Sequence, residues 1–126
     1  MTNVTQLRLT EHVQVDIDKI DALYSEMDPV QAEGVVCRAM EELAQRMAQC
    51  EKLYHAAALD ELRKSSRSMV AIADQIGMPV MAKVARDVAI CAEQRDHIAL
   101  SATVTRLMRT GEGSLTAIWD LNNATI

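Results

Sequence analysis

Apolar residues recur every three or four positions along most of this chain, and this repeat constrains the fold more than any other feature. Two long stretches show it most clearly. Their stripes consist of Val36, Met40, Leu43, Met47 and Cys50, then Leu59, Leu62, Ser66, Met69, Ala73 and Ile76. Because side chains three or four positions apart share one face of an α-helix, the repeat predicts long helices that bury one face.

The scarcity of aromatic residues supports this interpretation. Aromatic side chains make up 2% of the 126 residues and Phe is absent, so the core must be built from aliphatic side chains and eight Met. Strands usually draw on aromatic and β-branched residues, whereas helices accept Ala, Leu and Met readily. The four Gly and two Pro are also too few for the turns of an all-β domain. The composition therefore indicates an all-α fold.

Local signals at helix ends divide the chain into five helices. Asp28 can cap a helix, Pro29 fits its first position, and Gln31 follows three residues after the cap, so a helix is predicted to begin there. Gly77 suits the left-handed conformation that ends helices, and Pro79 suits the first turn of the next one. The predicted helices run from Val13 to Met27, from Pro29 to about Lys52, from Leu53 to Ile76, from Pro79 to about Arg95, and onward from Asp96.

The last of these helices contains two glycines, Gly111 and Gly113. Holding both in a helix interior costs about 2 kcal/mol relative to alanine. The helix either ends at Gly111 or continues through Gly113 as far as Leu121. We favour a break, with Ser114 capping a short final segment.

Long helices joined by short linkers must turn back on one another. The predicted architecture is an antiparallel up-down four-helix bundle with a short additional N-terminal helix. The chain is long enough for one hydrophobic core and too short for two, so residues 1–126 are expected to form a single domain. Only residues 1–10 look unanchored.

Charge and cysteine usage narrow the functional classes. The net charge of -5 and a pI of about 5.1 give no overall attraction to nucleic acid or anionic lipid. The sequence has neither an apolar run of the roughly 18 residues that span a membrane nor a secretory signal, so a cytoplasmic location is expected. Cys37, Cys50 and Cys91 are odd in number and form no CxxC pair, so we expect buried thiols rather than disulfides or a zinc site.

The third helix carries a recognisable motif. Ala58-Leu59-Asp60-Glu61-Leu62-Arg63-Lys64-Ser65-Ser66 resembles the A-H-x-L-K-G-S-S motif of the histidine-containing phosphotransfer (HPt) family. Leu62, Ser65 and Ser66 coincide with the family pattern, and Arg63 stands in for its lysine. The resemblance extends from about Val13 to Leu121 and implies a four-helix bundle. It also implies partners in a two-component phosphorelay, namely a response-regulator receiver domain or a histidine kinase.

Two positions depart from that pattern. Asp60 occupies the position of the phosphate-accepting histidine, and Lys64 that of the glycine. An imidazole can take a phosphoryl group from a receiver aspartate, whereas a carboxylate on a bare helix lacks a Mg²⁺ cage that would offset the charge. We therefore expect no conventional phosphotransfer here. In the HPt family, the glycine at this position allows a partner's backbone to approach the helix. Lys64 places a long charged side chain there, which implies that docking differs in detail.

Helical geometry predicts the direction of these side chains. Asp60, Lys64 and Arg67 lie far around the helix from the buried stripe, so together with Arg63 they form a charged strip that faces solvent or a partner. An ordinary solvated surface, in which Asp60 and Lys64 form an i,i+4 pair, is the alternative. The same projection puts His55 on the buried side.

The remaining candidates for chemistry are few. His55 is an alternative phosphoacceptor only if the motif's register shifts. Neither His97 nor His12 has a second histidine or a cysteine three or four residues away, so no metal site is expected. Trp119 is expected to clamp the last helix onto the bundle, although an exposed Trp would instead suit an interface.

Three hypotheses follow from the sequence. The first is an HPt-like docking module that binds without accepting phosphate, with no cofactor and no enzymatic activity. The second is an active phosphotransfer protein that uses His55. The third is an unrelated helical bundle that dimerises or acts as a scaffold.

Overall fold

The computed structural model describes residues 15–124 and the side chains of residues 15–120. Within this range the chain is almost entirely helical and contains no strand. Both the predicted loose segment, residues 1–10, and His12 lie outside the described residues. The helices are α1 (Ile17–Glu26), α2 (Pro29–His55), α3 (Leu59–Gln75), α4 (Pro79–Gln94) and α5 (His97–Ala124).

The predicted all-α fold is confirmed, and the packing of the helices forms a closed ring. Helix α2 packs against α3 and α5, and α4 packs against α3 and α5 as well. Helix α1 contacts α2. No helix in the described part of the chain combines the length and the apolar character needed to cross a membrane.

The core contains the side chains of the two predicted stripes except Met40, which is partly buried against it. Aliphatic residues and methionines fill it, and no aromatic ring is buried there among the described residues. Its largest fully buried members are Leu43, Leu62, Met69, Ile76, Met78, Met81, Leu100, Leu107, Ile118, Val36, Val84 and Val88.

The start of α2 was predicted correctly, but its cap differs. Pro29 occupies the first helical position, yet the Asp28 side chain makes no capping hydrogen bond. Instead the backbone carbonyl of Asp28 accepts from Ala32 N–H at 2.9 Å. The N-terminal helix is shorter than predicted, with Asp16 Oδ1 capping it by accepting from Lys19 N–H at 3.2 Å.

The boundary between α2 and α3 was predicted wrongly. Helix α2 continues to His55, and residues 56–58 form the turn, with Ala57 at a φ of 55°. Alanine is the best helix former and seldom adopts positive φ, so nothing in the sequence Ala56-Ala57-Ala58 marks a turn. As a result His55 ends α2 and does not belong to α3.

The turn after α3 forms as predicted and holds α1 in place. Gly77 has a φ of 76°. Its carbonyl accepts from Asp16 N–H at 2.7 Å, and Lys19 Nζ donates to the carbonyl of Asp74 at 2.7 Å. A Cβ at position 77 would lie 2.7 Å from the Asp16 carbonyl oxygen, so only glycine fits this junction.

The predicted break in the last helix does not exist, because α5 is continuous through Gly111 and Gly113. A Cβ at Gly111 would lie 2.5 Å from both Sδ and Cε of Met47 and 3.4 Å from Cε of Met81. The glycine therefore lets side chains of α2 and α4 pack directly on the α5 backbone, and this packing offsets the poor helix propensity of glycine. Ser114, the predicted cap, lies fully buried inside the helix.

Candidate docking site

Helix α3 carries all four residues of the predicted strip. Asp60 lies in its first turn, and Arg63, Lys64 and Arg67 occupy the next two turns. The HPt resemblance implies that the acceptor position lies inside a helix, whereas Asp60 is the second residue of α3. The turn at residues 56–58 causes this difference, and it gives the Asp60 carboxylate the favourable electrostatics of a helix N-terminus.

The Asp60 side chain is exposed and pairs with the residue that ends α4. Its Oδ1 lies 3.7 Å from Nη2 of Arg95, and the two side chains are 77% and 64% exposed. No ion pair joins Asp60 to Lys64 in the described chain, so the i,i+4 pair considered above does not form. Arg95 itself has a φ of 55°. Its left-handed backbone ends α4 and turns the chain toward α5.

Two further ion pairs join α3 to α4. Arg67 Nη2 lies 3.5 Å from Glu93 Oε2, and Arg86 Nη2 lies 4.0 Å from Asp74 Oδ2. As the residue numbers rise along α3, the numbers of their partners fall along α4. All of these side chains are roughly half exposed or more, so each pair adds little to stability.

Arg63 and Lys64 form no ion pair, unlike Asp60 and Arg67. Neither has a carboxylate oxygen within 4.0 Å among the described residues. Lys64 is exposed and Arg63 is half-buried. Lys64 also borders a groove of about 270 Å³ between α2 and α3, which Gln49 and Leu53 line from the α2 side. Glu61 lines the same groove, but the strip still offers two cations that form no ion pair within 4.0 Å among the described residues.

The motif residues behind the strip face the core. Leu62 and Ser66 are fully buried, and Ser65 is nearly so. Ser66 Oγ donates to the carbonyl of Leu62 at 2.8 Å. Hydroxyls engaged in this way pack the helix and orient its opposite face outward, and they are not placed as nucleophiles.

Cys50 lies behind Ser65 in the core. Its Sγ is 3.6 Å from Ser65 Oγ and 3.7 Å from Met69 Sδ. Burial raises the pKa of the Cys50 thiol, and Ser65 and Arg46 oppose this effect. A protonated, enclosed thiol is unreactive. Cys37 and Cys91 are half-buried, so the prediction of buried thiols is fully met only at Cys50.

The histidines do not lie where the sequence suggested. His55 is exposed at the end of α2, so its predicted burial is wrong, and its ring centroid lies 5.3 Å from that of Tyr54. His97 is exposed at the start of α5. The described residues contain no group of three His, Cys, Asp or Glu side chains that could hold a metal ion.

Trp119 was expected to clamp α5 onto the bundle, but its side chain is 56% exposed. It borders a mostly apolar groove of about 400 Å³ between α2 and α5. The groove is lined by Cys37, Met40, Glu41, Ala44, Leu115, Thr116 and Trp119. The groove itself was not predicted, although an exposed Trp was noted above as suited to an interface. Arg95 was also missed, since no sequence signal marks an arginine for a left-handed turn.

No protein-family model, curated protein or solved structure matches this chain. Its function must therefore be inferred from its own residues.

Proposed function

We propose that this chain is an HPt-like docking module of a two-component phosphorelay, which binds a receiver domain or a histidine kinase without accepting phosphate. One observation carries the proposal. Arg63 and Lys64 present unneutralised positive charge beside Asp60, which stands where the resembled family has its acceptor histidine. Such a module acts by binding and is not an enzyme, and we place it in the cytoplasm with its partners.

The proposed fold is an antiparallel up-down four-helix bundle formed by α2 to α5, with α1 as the additional N-terminal helix. The closed ring of helix contacts supports this arrangement. The reversed order of partners in the pairs Asp60–Arg95, Arg67–Glu93 and Asp74–Arg86 supports an antiparallel α3 and α4. The turns of three residues or fewer that join α2 to α3 and α3 to α4 favour neighbours of opposite direction.

The chemistry of Asp60 explains why the module binds without transferring phosphate. Phosphoryl transfer depends on groups that neutralise the charge of the migrating phosphoryl. Asp60 instead adds a negative charge, which Arg95 partly offsets. Serine and cysteine do not replace it, since Ser65, Ser66 and Cys50 are buried beneath the helix.

The electrostatics of the strip indicate the kind of partner surface that it fits. Receiver domains usually present an acidic phosphorylation pocket, which complements Arg63 and Lys64. Association between such surfaces is steered by charge and weakened by salt. The net charge of the whole chain is -5, which disfavours the approach of an acidic partner to its other surfaces.

A combined binding and transfer assay tests this proposal. Receiver and histidine-kinase domains from the same genome are passed over the immobilised chain at low and high salt. The receiver domains are then phosphorylated with labelled phosphate and mixed with the chain. We expect salt-sensitive binding and no label on the chain. The Asp60→His variant, which places an imidazole at the acceptor position of the motif, is the matched control and should gain label. An absence of binding to every receiver and kinase domain of that genome would contradict the proposal.

A second candidate function is active phosphotransfer through His55, which its exposure favours because an acceptor must be reachable. His55 lies on α2, outside α3, which carries the motif. Acid-labile label on the wild-type chain that disappears in His55→Ala, but not in His97→Ala, would replace the docking proposal with this one.

A further inference from the structure

The groove beside Trp119 lies apart from the docking strip. The strip is on α3, and its ion pairs reach α4, whereas the groove is formed by α2 and α5. Trp119 is the only tryptophan of the chain. A large aromatic side chain left more than half exposed next to an apolar groove is typical of an interface anchor.

We propose that this surface is the interface of a homodimer, in which Trp119 of each copy inserts into the groove of the other. The surface holds both a large exposed aromatic side chain and a concave apolar site, which Met40, Ala44 and Leu115 line. A two-fold interface requires a surface that complements itself, because each copy must supply both members of every contact.

Two charged side chains of α2, Glu41 in the groove and Arg38 in the adjoining surface pocket, also fit a second copy. Arg38 and Glu41 are exposed neighbours on α2, and Glu41 lines the groove itself. Neither has an ion-pair partner within 4.0 Å among the described residues. One unpaired cation next to one unpaired anion is complementary to the same pair rotated by a two-fold axis.

The alternative occupant is the chain's own segment 1–14. The chain enters the described structure at Val15, and Asp16 is fixed to Gly77 by the 2.7 Å hydrogen bond. That junction lies at the turn between α3 and α4, and neither of these helices lines the groove. The unpaired charges of Arg38 and Glu41 favour a second copy instead.

Sedimentation equilibrium from about 1 μM to about 1 mM, the range of weak and moderate complexes, tests the dimer. We expect the mass to rise toward twice 13.9 kDa. Trp119→Ala and Ala44→Glu, which alter the anchor and an exposed position in the groove, should each weaken dimerisation at least about tenfold. Ile98→Glu is the matched control, because Ile98 is 87% exposed on the same helix and should leave dimerisation unchanged.

Tryptophan fluorescence provides the second readout, since all of the signal comes from Trp119. The emission of Trp119 should shift to the blue as the dimer forms. The Lys64→Glu variant, which alters the docking strip, should show the same shift. Failure of the docking strip and failure of the dimer are therefore distinguishable. A chain that stays monomeric over this range, or a dimer that Trp119→Ala and Ala44→Glu leave intact, would overturn the proposal. Blue emission that is independent of concentration and turns red when residues 1–14 are removed would assign the groove to that segment and also overturn it.

Discussion

Asp60 Oδ1 and Arg95 Nη2 lie 3.7 Å apart, which links the first turn of α3 to the residue that ends α4. One member of this pair stands at the acceptor position of the HPt motif, and the other holds a left-handed backbone with a φ of 55°. Arg67 pairs with Glu93, so Arg63 and Lys64 are the cations of the strip that have no ion pair within 4.0 Å in the described structure.

Because Arg95 has a left-handed backbone, the Arg95→Gly variant should be more stable than the Arg95→Ala variant. Glycine adopts positive φ without strain, so Arg95→Gly should gain up to about 1 kcal/mol from the backbone, against an exposed ion pair worth about 0–1 kcal/mol. Arg95→Ala loses the pair and keeps the strain. Urea unfolding should therefore show the glycine variant to be more stable than the alanine variant by about 1 kcal/mol, and the opposite order would refute the assigned conformation.

Replacing glycine with alanine should have opposite effects on the free energy of unfolding at position 77 and at position 34. Gly77→Ala should lower the free energy of unfolding by more than about 1 kcal/mol, because φ is positive and a Cβ would meet the Asp16 carbonyl. Gly34→Ala should raise it by up to about 1 kcal/mol, since Gly34 lies inside α2 and a Cβ would be 3.9 Å from the nearest atom, in Arg38. Chemical denaturation of both variants provides the comparison, and equal effects would contradict this account of the junction.

Gly111 and Met47 should be energetically coupled. In the wild-type background Gly111→Ala gains helix propensity but crowds Met47, so the two effects should largely cancel. In a Met47→Ala background the crowding is gone, and Gly111→Ala should stabilise the fold by about 1 kcal/mol. A double-mutant cycle with a coupling below about 0.3 kcal/mol would show that the two residues do not touch.

Cys50 should be the protected thiol of the chain. Burial raises its pKa, so it stays protonated at pH 8 and should react with a thiol reagent only when the fold opens. Cys37 and Cys91 should react in the native state. Mass spectrometry after brief alkylation distinguishes the three sites, and rapid native modification of Cys50 would contradict the packing around Ser65 and Met69.

The same raised pKa predicts a dependence of stability on pH. The folded state holds the Cys50 proton more tightly than the unfolded state, so its contribution is fully present below the ordinary thiol pKa, about 8.5, and is lost as the pH rises through the higher folded value. The free energy of unfolding should therefore fall more steeply with alkaline pH in the wild type than in Cys50→Ala. Parallel pH profiles would indicate that the thiol is equally solvated in both states.

The sequence predicted the helices and their buried faces because the spacing of apolar residues depends directly on helical geometry. It could not predict the turn at Ala57, since alanine favours helix, or the continuity of α5 at Gly111, which depends on Met47 from a distant helix. The exposed strip on α3 was predictable from the angle between Asp60 and the core stripe. Its partner Arg95 was not, because that contact depends on how α4 ends.

The central claim, docking through α3, is tested most directly by reversing one charge on the strip and one elsewhere. Lys64→Glu and Lys83→Glu make the same change in net charge, and both lysines are exposed and have no ion-pair partner within 4.0 Å among the described residues. Each should alter stability by less than about 0.5 kcal/mol, as surface substitutions usually do. Calorimetric titration with a receiver domain that binds the wild type should show Lys64→Glu weaker by about 1 kcal/mol or more and Lys83→Glu nearly unchanged. Equal affinities for the wild type and Lys64→Glu would contradict the account.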